Sequence, residues 1–147
     1  MILAHIVVGV FPTTNSEFST VWFLGSIAPD IDHLFLLIKN RIFSWKKIEH
    51  YMRHSDAHHI RFKTKYLHSV FGAFLMSLPF YVISLQAVKT FFLAYILHLV
   101  LDWPDHDEKQ YLFPFSNQKF KGFLPIFSKP EIVFTITLVV LYFYKYF

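Results

Sequence analysis

Two acidic-histidine signatures lie inside the most apolar stretches of the chain. One reads Pro29-Asp30-Ile31-Asp32-His33, and the other places His98 four residues before Asp102. Carboxylates in apolar surroundings cost several kcal/mol unless they are paired or bound to a cation. Imidazole with carboxylate is also a donor mixture that borderline metals such as zinc accept. The chain has no cysteine, so thiolate ligands and disulfides are excluded. Any metal must take His, Asp, Glu, backbone oxygen or water.

Each motif also has a plainer reading. His98 and Asp102 share a helix face, which suits an ion, a buried histidine–aspartate pair or a simple helix end. One aspartate of the first motif is explained by helix capping. Two aspartates and a histidine among Ile27, Ile31 and Leu34 to Ile38 are not. His5 and His68 lie on apolar segments and read either as ligands or as satisfied core residues. His50, His54 and His58 form a helical stripe with His59 beside it, among Arg53, Arg61 and Lys63. A solvated or phosphate-binding surface explains that stripe better than a metal site. Asp105, His106, Asp107 and Glu108 read as a polar turn, with Asp105 or His106 available to join the site.

The composition names the setting. Of 147 residues, 54% are hydrophobic and 16% charged, with 19 Phe. Ordinary soluble domains are apolar at about 45–50% and charged at about 25%. The balance favours a membrane-associated, all-α bundle of about three to five helices in one domain, 1–147. The first basic residue is Lys39, so the apolar N-terminus makes a poor secretory signal and is read as part of the mature fold.

Apolar stretches at 1–11, 18–29 and 30–38 are expected as short helices. Residues 66–88 carry no Lys, Arg, Asp or Glu; they read as a spanning helix kinked at Pro79. A turn is expected at Lys89-Thr90. The runs 91–101 and 132–144 fall short of the ~20 residues of a full span. Twelve of the 14 Lys/Arg lie in the segments 39–65 and 103–130, read as loops. A hairpin of 66–88 with 90–102 brings both loops to one side, and the positive-inside rule makes that side cytoplasmic. The same hairpin puts His68, His98 and Asp102 at one level, with Asp30, Asp32 and His33 beside them. The expectation is a multi-pass protein of the cytoplasmic membrane with its site towards the cytoplasmic face.

Taken together, His5, Gly25-Ser-Ile-Ala-Pro-Asp-Ile-Asp-His33, His68-Ser69 and His98-Leu-Val-Leu-Asp102 resemble the YdjM-type membrane-bound metal-dependent hydrolases of bacteria and archaea. Phe113-Pro114-Phe115 is similar to the aromatic-proline segment after that family's last metal motif. The family is distantly similar to zinc-dependent phospholipase C and the single-strand zinc nucleases. The resemblance implies a phospholipase C-like site with one or more Zn²⁺ ions on His5, Asp30, His33, His68, His98 and Asp102. Asp32 would serve as a ligand or as a group orienting the ligands, and Arg61 would offset charge on phosphoryl oxygens. The chain departs from the pattern at His59, Arg61 and Leu67-His68-Ser69, where the spacing is altered. It departs again at Trp103-Pro104-Asp105-His106, where Thr and Gly are usual.

The chemistry so implied is hydrolysis by metal-activated water, with a lipid head group or another phosphodiester as substrate; esters and amides stay open. The rival readings are a non-enzymatic membrane protein with a structural His/Asp metal site or polar network, and metal or proton transport. Nucleic acid is an unlikely partner, because no groove-reading motif is present. Membrane lipid is the expected partner, and the oligomeric state is left open.

Overall fold

The computed structural model describes residues 5, 9, 17–53, 64–125 and 128–146. Every regular element among them is helical, and the only β pairing is two isolated bridges, Asp105 with Leu124 and Lys109 with Phe120. His5 and Gly9 occupy helical positions. Helix α1 covers Ser19–Ile27, a 3-10 turn covers Ala28–Asp30, and α2 covers Ile31–Lys39. Pro29 lacks an amide hydrogen, so the chain tightens there and then resumes. The three pieces form one apolar rod, Ser19–Lys39, of 21 residues. At 1.5 Å per residue it reaches about 30 Å, the thickness of a hydrocarbon core.

Helix α2 ends by a reciprocal pair of bonds. Ile42 N donates to Leu37 O at 2.9 Å, and Arg41 N donates to Ile38 O at 3.1 Å. This is the Schellman pattern, with Arg41 in the left-handed position at φ 53°. Ile42 is buried behind it. Helix α3, Trp45–Arg53, follows. Part of the stretch read as the first basic loop is therefore helical.

The reading of 66–88 as one kinked span is corrected. Helix α4 is only Val70–Ser77 and passes into a 3-10 segment, Leu78–Val82. Pro79 sits in the first turn of that segment. The turn falls at Ile83 and Ser84, not at Lys89-Thr90. Ser84 caps the next helix by accepting from Ala87 N at 3.0 Å. Lys89 is a good helix former and continues the helix rather than ending it. Helix α5 is consequently Leu85–Asp102, 18 residues long, and is itself apolar and long enough to cross a membrane. The run 132–144 lies inside a longer helix, α6, Lys129–Tyr146.

Helix α1 packs along α5, and α4 with its 3-10 extension packs on the same helix. Gly25 makes the first crossing close, since a Cβ there would lie 2.5 Å from the Phe91 carbonyl oxygen. The core there mixes three alanines, Ala28, Ala73 and Ala87, with Val21, Phe91, Tyr95 and Leu99. Many large apolar side chains nevertheless point outwards, including Leu34, Phe35, Leu93, Val100, Val133 and Leu141. Small residues at close helix crossings and large apolar ones facing outwards suit helices in lipid.

Candidate metal centre

The site forms where the start of α2, the turn before α4 and the end of α5 meet. His68 lies in that turn, and Ser69 caps α4 by accepting from Gly72 N at 3.0 Å. Tyr95 on α5 ties the turn down, its hydroxyl donating to Leu67 O at 2.6 Å. Val70 N donates to Tyr111 O at 2.9 Å, and the Tyr111 hydroxyl donates to Leu99 O at 3.1 Å. The backbone before His68 and the segment after Asp102 are thus both fastened to α5.

Asp32 lies behind the histidines, not among the facing atoms. Its Oδ2 accepts from Thr64 N at 2.7 Å and lies 3.0 Å from His68 Nδ1. Its Oδ1 lies 2.9 Å from His33 Nδ1. His98 Nδ1 lies 2.6 Å from the Ser26 carbonyl oxygen. A carbonyl can only accept, so His98 carries its proton on Nδ1, and the carboxylate oxygen bonded to His68 imposes the same there. Each ring then turns its Nε2 to the opposite side.

On that opposite side are more carboxylates. His68 Nε2 lies 3.3 Å from Asp102 Oδ2. His98 Nε2 lies 3.6 Å from the same oxygen and 3.7 Å from Asp30 Oδ1. His33 Nε2 lies 3.5 Å from Asp30 Oδ1, and His5 Nε2 lies 3.5 Å from Asp102 Oδ1. The His5 ring stacks on His98 with centroids 3.9 Å apart. His68 Nε2 and His98 Nε2 are buried and make no hydrogen bond among the described residues. With the proton on Nδ1, these nitrogens present lone pairs to carboxylate lone pairs. That arrangement is repulsive unless a cation lies between them or the rings become imidazolium.

The spacing fits a metal. Two ligands of one tetrahedral zinc at about 2.0–2.1 Å stand about 3.3–3.4 Å apart. Three overlapping groups have ligand atoms within 4.8 Å of one another: His5, Asp30 and His98; Asp30, His33 and His68; and His68, His98 and Asp102. Histidines held through Nδ1 by a carboxylate or a carbonyl are also the usual supports of a metal site. All six residues expected as ligands therefore converge. The Asp30 and His33 side chains stay 30% and 16% exposed, so the cluster opens on that edge.

The other expected residues are placed as follows. Arg61, His54, His58 and His59 lie outside the described residues. His50 is exposed on α3. His106 is exposed, and its amide is bonded to Leu124 O at 2.9 Å. Asp105 is buried, with its amide on Asp102 O at 3.1 Å and its carbonyl accepting from the buried Lys109 ammonium. Sequence reasoning missed Ser26, Thr64 and Tyr95. The first two act through the backbone, where residue type carries no signal.

These features define a helical membrane protein with a buried histidine–aspartate cluster at one end of its bundle. The chain matches the family described as YdjM inner membrane protein over residues 1–146, and it belongs to that family. Searches among curated proteins and among solved structures gave no match.

Proposed function

We propose that the chain is a membrane-bound, metal-dependent hydrolase that cleaves a phosphoester. The observation that carries this reading is the pair of buried nitrogens, His68 Nε2 and His98 Nε2, facing carboxylates without hydrogen bonds. His5, Asp30, His33, His68, His98 and Asp102 would hold one or more divalent ions, with zinc favoured by the donor set. A bound ion of this kind supplies Lewis acidity and a nucleophile at neutral pH. Asp32 is then a positioning residue: it fixes the tautomer and angle of His68 and places a carboxylate beside His33. Ser26 does the same for His98 through its carbonyl. The half-open edge at Asp30 and His33 is where a substrate would enter. Arg61 is proposed to offset charge on the phosphoryl oxygens. The basic segments 39–65 and 103–130 favour an anionic substrate, and the positive-inside rule favours a cytoplasmic site in a multi-pass protein.

One observation favours a second reading. The side chains of His5, His68, His98 and Asp102 are at most 5% exposed, as in the closed metal sites that only stabilise a fold. Metal content and turnover separate the two. The first experiment is elemental mass spectrometry on the detergent-purified wild type beside an Asp30→Ala, His98→Ala variant. Hydrolysis assays on bis-nitrophenyl phosphate and on phospholipid vesicles follow. Metal with turnover supports the hydrolase; metal without turnover supports the structural site.

A further inference from the structure

The turn and helix that follow the rod Ser19–Lys39 carry chemistry that the metal cluster does not use. Lys39, Arg41, Lys46 and Lys47 are all exposed, and Glu49 is the one acidic residue between positions 39 and 50. Phe43 and Trp45 sit among these cations at 74% and 62% exposed. Ile42, in the turn before them, is buried. The patch begins at the last residue of a helix long enough to span the bilayer. A rod that spans the bilayer sets the patch at head-group depth, where aromatic rings and cations are both favoured.

Arg41 adds an independent observation. Its position in the Schellman turn has φ 53°, where glycine is the usual occupant and a side chain is disfavoured. An arginine here gives up backbone comfort and places a guanidinium at the centre of the patch. Guanidinium binds phosphate oxygens bidentately, and lysine adds point charge beside it.

We infer that Lys39, Arg41, Phe43, Trp45, Lys46 and Lys47 form a binding site for anionic phospholipid head groups at the membrane surface. The cations hold the phosphate, and the two aromatic rings sit among the upper acyl carbons. The site does not depend on the metal cluster or on hydrolysis. It rests on charge complementarity, on continuity with the spanning rod, and on the arginine in a glycine position.

The test is native mass spectrometry of the full-length protein in detergent, titrated with phosphatidylglycerol or with phosphatidylcholine. The wild type should retain phosphatidylglycerol about tenfold more strongly, the scale expected of a few interfacial cations. The triple variant Arg41→Gly, Lys46→Gln, Lys47→Gln should lose most of that preference. Lys119→Gln, Lys121→Gln should keep it within about twofold. Equal retention of the two lipids by the wild type overturns the inference, as does a preference that follows Lys119 and Lys121. Should the triple variant fail to fold, Arg41→Gly alone serves, because it suits its backbone better than the wild type. Its phosphatidylglycerol preference must fall about threefold or more, and an unchanged preference overturns the inference. A single-stranded oligonucleotide that displaces phosphatidylglycerol from the wild type at equal concentration also overturns it, in favour of nucleic acid.

Discussion

At the scale of single residues, the centre is decided by which nitrogen of each histidine carries its proton. Asp32 and the Ser26 carbonyl settle that for His68 and His98. Asp32→Ala should therefore weaken metal binding about 10- to 100-fold without abolishing it, the usual cost of losing a group behind the ligands. Competition against a chelator of known affinity measures this, and an unchanged affinity would show that Asp32 does not orient the ligands. Arg41→Gly should stabilise the protein by about 1 kcal/mol, because glycine accepts the left-handed backbone that arginine strains to adopt. Thermal melting in detergent reads the sign directly. The facing carboxylates and imidazoles were legible in the sequence, since helix capping accounts for only one of the three polar groups that Asp30, Asp32 and His33 set among isoleucines and leucines. The division of labour was not. Asp30 and Asp32 differ by two positions in one motif, and only the folded backbone sends one to the cluster and the other behind it.

At the scale of elements, the site depends on how closely α1 approaches α5. Gly25→Ala would put a methyl 2.5 Å from a backbone oxygen that cannot rotate away. The helices must separate, at a cost of about 1–3 kcal/mol. The neighbouring Ser26 carbonyl would then leave His98, so metal affinity should fall with stability. Melting and chelator competition on one sample test that linkage, and a fall in stability alone would break it. Tyr95→Phe removes the tie to Leu67. It should cost about 1 kcal/mol and loosen His68. The helical class and the common end of the motifs were readable from apolar runs and from the charge-free stretch 66–88. The break at Ile83 and Ser84 was not. A serine cap competing with a lysine and a proline is decided by packing on α5, and residue type alone does not rank them. The use of Ser26 and Thr64 through the backbone was equally hidden, because any residue type supplies the same carbonyl, and all but proline the same amide.

At the scale of the whole molecule, the chain buries histidine–aspartate polarity while exposing many large apolar side chains. A bundle so built relies on lipid outside and on tight helix contacts within. An ion joining α2, α5 and the turn before α4 would lock three separate stretches of chain. Whatever binds the folded state alone stabilises it by RT ln(1 + [L]/Kd), about 2.7 kcal/mol at a hundredfold excess over Kd. Adding zinc should therefore raise the melting temperature of the wild type and leave the Asp30→Ala, His98→Ala variant unmoved. The decisive measurement is the metal content of that pair after purification in detergent and removal of excess ion. The wild type should hold about one or more zinc or similar transition-metal ions per chain, with the variant folded and nearly metal-free. A wild type that stays metal-free after zinc has been supplied would contradict a metal centre. The cluster would then be a polar network of histidines and aspartates inside a structural membrane protein.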